Sequence, residues 1–231
     1  MALSTLKRSN WSIVVIITNN SVYLHIHKTG GTWIRHVLKP ITVEDRDHEL
    51  LDKKAEHVFA FVRNPWAWYV CSYNALMYGS EDDPADSADP LIVALGKRPT
   101  FQEFLETQIT PSPLFKKKLN LLFKINPTSN VFPRIAERWL ETDASWYQNL
   151  CDVFTEHATD IGTTENLAED LVRMLTAGNE LTDELVHRIK TTPMKNVGKI
   201  SVDYRSMYTV KQSKMVEDST QPLIKQFGYK F

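Results

Sequence analysis

The segment that most constrains the fold spans residues 23–38, which read as a strand, a glycine-rich turn and a helix in immediate succession. The turn begins at Lys28 and contains Gly30 and Gly31, and helical spacing continues from Thr32. Backbone N–H groups in such a turn, together with the positive end of a helix, leave donors that an oxyanion can satisfy. The alternative is a plain turn in which the glycines only relieve packing, but a lysine and two threonines add donors that a plain turn does not need. The segment therefore predicts a site for a phosphate-like anion.

A second segment has the same order of strand and helix. Residues 57–62 are apolar on both faces, which is typical of a central parallel strand, and residues 66–77 read as a helix rich in aromatic side chains. These aromatic side chains are expected mainly to pack in the core. Residues 11–18 and 21–26 are β-rich and flank a two-residue turn candidate, which predicts a hairpin. The sequence therefore predicts an α/β fold with a mainly parallel central sheet flanked by helices.

Capping patterns place further helices. Thr100 and Glu103 form a capping-box pattern at the start of a helix over 101–108. Thr164 is expected to cap a helix with apolar residues at helical spacing. A last helix is expected to run from about Thr209, with Pro222 breaking or kinking it.

The other stretches carry weaker signals. Residues 47–55 read as a short polar helix, and residues 80–90 as an acidic, solvated loop. The Pro-rich stretch 110–133 contains three consecutive lysines, but aromatic residues are not interleaved with the charges. We therefore interpret it as an amphipathic cover over the core rather than a nucleic-acid patch.

Composition limits the possible partners and the compartment. The 231 residues can bury one substantial core, so we expect a single domain over 1–231. Lysine and arginine number 27 against 28 aspartate and glutamate, so global charge favours neither nucleic acid nor an anionic membrane, and an anion site must be local. The cysteines Cys71 and Cys151 form neither a disulfide framework nor a metal-site spacing. With no run of about 20 apolar residues, these features predict a cytoplasmic protein.

The order of residues in the turn argues against the common triphosphate-binding loop. That loop places its lysine after the glycines and follows it with a hydroxyl for Mg²⁺, whereas Lys28 precedes Gly30 and Gly31. A lysine, a threonine, two glycines, a threonine and a tryptophan after a strand resemble the 5′-phosphosulfate loop of sulfotransferases that use 3′-phosphoadenosine 5′-phosphosulfate (PAPS). Arg63, Asn64 and Pro65, with a small residue eight positions after the arginine, resemble the 3′-phosphate element of the same family.

Weaker similarities reach the end of the chain. Residues 164–170 resemble the family's Glu-Asn-Leu segment, and residues 203–208 and 227–231 resemble the close of bacterial and viral members. The resemblance implies a three-layer, P-loop-like fold, with the acceptor region in the divergent stretch of about 79–146. It leaves the acceptor and the oligomeric state open.

The resemblance also assigns roles to individual residues. Lys28 would neutralise charge on the bridging oxygen as adenosine 3′,5′-bisphosphate leaves, and Trp33 would stack the adenine. Arg63 would hold the 3′-phosphate with Cys71, which occupies the family's serine position, or with the adjacent Ser72. The backbone and side chains of the loop would cradle the 5′-phosphate, namely those of Thr29, Gly30, Gly31 and Thr32.

The acceptor also needs a base. Family members use a histidine or glutamate between the two nucleotide segments, which makes His48 the candidate, with Glu49 and His57 as alternatives. His27 departs from the family pattern, which has proline before the lysine. Lys195 and Lys199 lie where members close over the nucleotide, although a solvated loop is the simpler reading.

The implied reaction is in-line transfer of the sulfuryl group to a hydroxyl or amine of a small molecule or glycan. A sulfuryl group carries a single negative charge, so a lysine and backbone donors suffice and no metal is expected. The alternatives are an ATP-dependent small-molecule kinase, and a catalytically inactive nucleotide-binding protein of the same fold.

Overall fold

The structure is a computed structural model that describes residues 14–47, 55–79, 89–125, 131–194 and 203–231. The chain forms two compact units, and neither is a continuous segment. One unit, here called the sheet unit, comprises the described residues up to 64 and those of 151–194. The other, the helical unit, comprises the described residues of 65–150 and 203–231.

The sheet unit contains a five-stranded mixed sheet in the order β3-β1-β2-β4-β5. The strands are β1 Val14–Ile17, β2 Ser21–Leu24, β3 Glu44–Asp47, β4 His57–Val62 and β5 Asp160–Thr163. β2, β4 and β5 are parallel neighbours, whereas β1 pairs antiparallel with both β2 and β3. The fold is therefore α/β, as the sequence predicts, but the prediction of a mainly parallel sheet is wrong because half of the pairings are antiparallel.

Eleven helices lie in the described part of the chain. They are α1 Gly31–Leu38, α2 Pro65–Tyr78, α3 Pro90–Leu95, α4 Phe101–Ile109, α5 Pro113–Ile125, α6 Val131–Glu141, α7 Trp146–Thr155, α8 Leu167–Ala177, α9 Asp183–Thr191, α10 Val210–Ser219 and α11 Gln221–Phe227. Short 3₁₀ turns occupy Lys39–Ile41, Thr164–Asn166 and Tyr204–Met207. None of the helices described is long and apolar enough to cross a membrane.

The predicted hairpin is confirmed, but the strand that follows α1 was missed. β1 and β2 pair with Ile16 opposite Tyr23, and Thr18 and Ser21 close the turn. β3 lies at the sheet edge and consists of charged residues, of which Arg46 forms an ion pair with Glu44. Charged residues are common on edge strands, where they discourage pairing with another chain, and they obscure the β pattern. The polar helix predicted over 47–55 falls mostly outside the described residues.

The central strand β4 is buried on both faces, as predicted. Phe59 and Phe61 face α1, α8 and α9, and the Phe59 ring stacks on Tyr23 with centroids 5.4 Å apart. Val58, Ala60 and Val62 alternate with them and are at most 3% exposed. Burying each of the valine and phenylalanine side chains contributes roughly 1.5–3 kcal/mol, so this strand anchors the loops that leave its ends.

One of the two predicted helix caps is confirmed. Thr100 and Glu103 form the predicted capping box at the start of α4. The prediction that Thr164 caps a helix is wrong, because its hydroxyl donates to the Val62 carbonyl and α8 begins three residues later at Leu167, after a 3₁₀ turn. The last helical segment is broken as predicted, because α10 ends at Ser219 and α11 begins with Pro222 in its first turn.

The helical unit is built around the aromatic stripe of α2, whose burial confirms the core-packing prediction. Trp66, Trp68, Tyr69 and Tyr73 are at most 9% exposed, and Trp68 stacks on Tyr147 at 4.2 Å.

The basic stretch of α5 has a structural role in two of its three lysines. Lys116 Nζ donates to the Trp139 and Thr142 carbonyls and Lys118 Nζ to the Ala94 carbonyl, which are groups at or near helix ends.

Candidate functional site

The candidate site lies in the sheet unit, where the carboxyl ends of β2, β4 and β5 meet at one edge. Open α/β sheets bind ligands at this edge. Three side-chain bonds join the loops that leave these strands. Arg63 Nη1 donates to the Lys28 carbonyl at 3.2 Å, and the Thr164 hydroxyl donates to the Val62 carbonyl at 3.0 Å. The Glu165 carboxylate accepts the Asn64 N–H at 2.9 Å. The structure thus brings Lys28 and Arg63 together, although the two are far apart in sequence.

The loop after β2 has an unusual backbone. Lys28 has φ +62° and Gly30 has φ +85°, so both lie in the left-handed region. Inside the turn, the Thr29 hydroxyl donates to the Ile26 carbonyl at 2.6 Å. The Gly30 carbonyl accepts the N–H groups of Trp33 and Ile34, the third and fourth residues of α1. Left-handed residues that lead into a helix turn successive N–H groups toward one concavity, which is an anion-binding geometry.

The two glycines of the loop serve different purposes. At Gly30 the left-handed φ disfavours any side chain, and a Cβ would also lie 2.7 Å from Leu167. At Gly31 the limit is space, because a Cβ would lie 2.0 Å from the His25 ring. The packing interpretation is therefore confirmed for both glycines, and the anion-site interpretation of the loop stays a prediction.

The electrostatics of the loop combine the Lys28 cation with two buried imidazoles. His25 and His27 are each at least nine-tenths buried. Burial, together with the positive charges of Lys28 and Arg35, lowers the pKa of His25 to about 4. Burial and Lys28 likewise hold the pKa of His27 well below its usual value. Both rings are therefore neutral near pH 7, so the loop's positive charge resides on Lys28.

Thr29 and Thr32 differ in what they offer. The Thr29 side chain is fully buried and its hydroxyl is used inside the turn, so its contribution to a bound anion is limited to its backbone. Thr32 is exposed in the first turn of α1, where its side chain can reach solvent.

The position of Trp33 does not fit the predicted stacking role. Its ring is 1% exposed and packs in the core of the sheet unit, and its Nε1 donates to the Thr192 carbonyl at 3.1 Å. An adenine could stack on this ring only if the core opened. We therefore correct the prediction: Trp33 holds α1 in place.

The residues predicted to complete the 3′-phosphate site lie in α2, within the helical unit. Cys71 is a free thiol at a half-buried position. Ser72 is 4% exposed, and its Oγ is buried without a hydrogen-bond partner among the described residues. Their role with Arg63 stays a prediction.

The structure narrows the choice of base. His48 and Glu49 lie outside the described residues, as do Lys195 and Lys199. His57 begins β4, whereas Arg63 follows its last residue, and six strand residues span about 20 Å at about 3.3 Å per residue. At that distant edge its Nδ1 lies 2.9 Å from the Ser21 hydroxyl. The alternative that made His57 the base is therefore wrong, since the ring lies at the opposite end of the strand.

Two residues of the site were missed from sequence. Glu165 follows β5, so recognising residues 160–163 as a third parallel strand would have placed it at the loop edge. His25 follows β2 on the same face as Tyr23, and strand alternation alone would have turned it toward the core of the sheet unit. Within the described ranges, no group of three or more His, Cys, Asp or Glu side chains could hold a metal ion.

No protein-family model, no curated protein and no solved structure matches this chain. The chemistry of the site itself is therefore the basis for assigning a function.

Proposed function

We propose that this protein is a sulfotransferase that uses PAPS as donor and a hydroxyl or amine of a small molecule or glycan as acceptor. The observation that carries the proposal is the hydrogen bond of 3.2 Å from Arg63 Nη1 to the Lys28 carbonyl. It joins the loop that resembles a 5′-phosphosulfate site to the arginine that resembles a 3′-phosphate ligand. A nucleotide with charged groups at the 3′ and 5′ positions of its ribose needs two cationic elements close together, and the Lys28 loop and Arg63 follow neighbouring strands.

The left-handed loop supports the donor half of the proposal. The α1 N-terminus and the N–H groups of residues 29–32 bind the 5′-phosphate, and the Lys28 ammonium lies beside the bridging oxygen. Arg63 binds the 3′-phosphate through its guanidinium fork. The buried Thr29 and Gly31 set the shape of the loop and leave Lys28 as its charged group.

The reaction is an in-line displacement at sulfur. The acceptor oxygen or nitrogen forms a bond to sulfur while the bond from sulfur to the 5′-phosphate oxygen breaks. The acceptor proton passes to the base, for which His48 is the candidate, and adenosine 3′,5′-bisphosphate leaves with the bonding electron pair. Lys28 neutralises the charge that develops on the leaving oxygen, which lowers the barrier.

A thermal-shift titration tests the proposal and separates it from the kinase alternative. We expect adenosine 3′,5′-bisphosphate to stabilise the protein without added metal, by a margin that grows with ligand concentration. Stabilisation by ATP that requires Mg²⁺, with none by the bisphosphate, would contradict the proposal and favour a kinase.

A transfer assay with ³⁵S-labelled donor and an acceptor library then separates an enzyme from an inactive binder. Lys28→Ala and Arg63→Ala should each weaken bisphosphate binding at least tenfold, since each removes hydrogen bonds to a charged group worth about 1.5–3 kcal/mol. Lys39→Ala, at an exposed lysine beyond the far end of α1, is the matched control. His48→Ala should spare binding and remove turnover.

A further inference from the structure

His25 lies where the proposed anion site begins, yet the sequence resemblance gives it no role. It follows β2 directly and is 8% exposed. The Cδ2–Nε2 edge of its ring points at the first residue of α1, and both atoms lie 2.0 Å from the position that a Cβ on Gly31 would take. The glycine is therefore what allows an imidazole nitrogen to reach the N-terminus of α1.

The ring contacts its surroundings without a hydrogen bond. Its contact with Tyr23 is between rings, with centroids 6.0 Å apart, and none of the described residues donates to or accepts from its nitrogens. The His25 nitrogens are not among the fully enclosed polar atoms that lack a partner, so the 8% of the residue that stays exposed leaves them within reach of a molecule at the loop. A bound ligand can therefore supply the missing hydrogen-bond partner.

The protonation state decides which ligand chemistry fits. Because the pKa of His25 is lowered to about 4, the ring is neutral at physiological pH and carries one N–H. No backbone N–H of α1 donates to Nε2, so this nitrogen is available to carry the proton and to donate. Its neighbours Lys28 and Arg35 are cationic, so an anionic oxygen is the acceptor that this environment favours.

We propose that His25 is a ligand-binding residue whose Nε2–H donates a hydrogen bond to an oxygen of the anionic group bound at the N-terminus of α1. The inference rests on the proposed function and adds a donor to the 5′ end of the nucleotide site. A neutral donor next to Lys28 binds an oxygen without adding charge. It therefore suits an oxygen of the 5′-phosphate, which PAPS and adenosine 3′,5′-bisphosphate both present at this loop.

Calorimetry with adenosine 3′,5′-bisphosphate tests the inference on the full chain. The variant His25→Leu removes the donor, and His25→Gln retains an N–H near the position of Nε2. We expect His25→Leu to bind at least tenfold more weakly than the wild type and His25→Gln to bind within about threefold. His36→Gln, at an exposed histidine of α1, is the control and should bind normally.

A second measurement covers the case in which His25→Leu fails to fold. In ¹⁵N-labelled wild-type protein, the His25 Nε2 resonance should shift when the bisphosphate is added, since its N–H acquires an anionic acceptor. Equal affinity of His25→Leu and the wild type, or an Nε2 resonance unmoved at saturation, overturns the inference while leaving the proposed function intact. Failure of the wild type to bind the bisphosphate overturns both.

Discussion

At the scale of single residues, Lys28 combines a strained backbone with the main charge of the loop. A residue with a side chain pays roughly 1–2 kcal/mol in the left-handed region, and Lys28 has φ +62°. Strain of this kind persists where the surrounding structure enforces it, and it concentrates at functional sites. The Thr29 hydroxyl and the Arg63 guanidinium, which both bond to carbonyls of this turn, provide that enforcement.

A glycine at position 28 should therefore separate stability from binding. Lys28→Gly removes the charge and relieves the backbone, whereas Lys28→Ala removes the charge and retains the strain. We expect both variants to lose tight bisphosphate binding, and Lys28→Gly to be more stable than Lys28→Ala by about 1 kcal/mol in urea unfolding. Equal stability of the two would show that the left-handed conformation is not held in solution.

Single-residue patterns also show where sequence reasoning fails. The resemblance assigned Lys28, Arg63 and the glycines to one nucleotide site, and the structure places them at the same edge of the sheet because they follow parallel strands. The burial of Trp33 was not predicted, since it depends on α9 and on the Thr192 carbonyl, 159 residues away in sequence. No local pattern encodes such a distant contact.

At the scale of elements, the junction of β2 and α1 depends on one close contact. The first residue of α1 has no room for a Cβ because the His25 ring fills that space. The contact sets where the helix begins relative to the strand. A change on one side of it should therefore be rescued by a change on the other.

We expect Gly31→Ala to destabilise the protein by about 1–3 kcal/mol through overpacking, and the double variant Gly31→Ala/His25→Ala to recover part of that loss. Chemical unfolding of both singles and the double measures the coupling. Gly96→Ala is the contrasting control. Its φ is +71° and no atom lies within 4 Å of the added Cβ, so its loss of unfolding free energy comes only from the left-handed backbone conformation. Strictly additive effects at positions 25 and 31 would contradict the contact.

A second link joins the ends of β4 and β5 through the Glu165 carboxylate, which accepts the Asn64 N–H. Glu165→Ala should release the turn that carries Arg63. Because the side chain is exposed, we expect a loss of only about 1 kcal/mol in unfolding free energy, together with several-fold weaker bisphosphate binding. Glu169→Ala, at an exposed position in the first turn of α8, is the control. Unchanged affinity in Glu165→Ala would mean that Arg63 is held by other contacts.

Elements with strong hydrophobic periodicity were predictable from the sequence, whereas elements without it were not. The hairpin, β4 and the helix after Thr164 carry apolar residues at regular spacing, and all three are present in the structure. β3 consists of charged residues that pair only at a sheet edge, so its strand character comes from β1 and not from its own side chains.

At the scale of the whole molecule, the near balance of charge confines the proposed chemistry to one local site. The net charge is −1, so a bound anion is attracted by Lys28 and Arg63 rather than by the protein's overall field. The same local arrangement has a consequence for global stability, because the two buried histidines next to Lys28 stay neutral to a lower pH in the folded chain than in the unfolded chain.

Acid should therefore destabilise the fold over a defined range of pH. The pKa of His25 falls from 6.5 in the unfolded chain to about 4 in the folded one, so the unfolded state takes up the proton first. The stabilisation is fully present above about pH 6.5 and is lost as pH falls through about 4. Its size is about 3 kcal/mol, and His27 contributes in the same direction.

Urea unfolding at a series of pH values measures this effect. The dependence of stability on pH between about 6.5 and 4 should be shallower in His25→Gln than in the wild type, with His36→Gln as the comparison. If the unfolding free energies of the wild type and His25→Gln change with pH in parallel, His25 has the same pKa in the folded and unfolded chains.

The helix that presents its N-terminus to the proposed ligand is clamped along its length. Trp33 near its start donates to the Thr192 carbonyl, and Arg188 of α9 donates to the His36 and Val37 carbonyls at its end. The donor groups are therefore ordered before any ligand arrives. Binding at this end of the site then loses little conformational entropy, so a small anion can be held with more of its contact energy expressed as affinity.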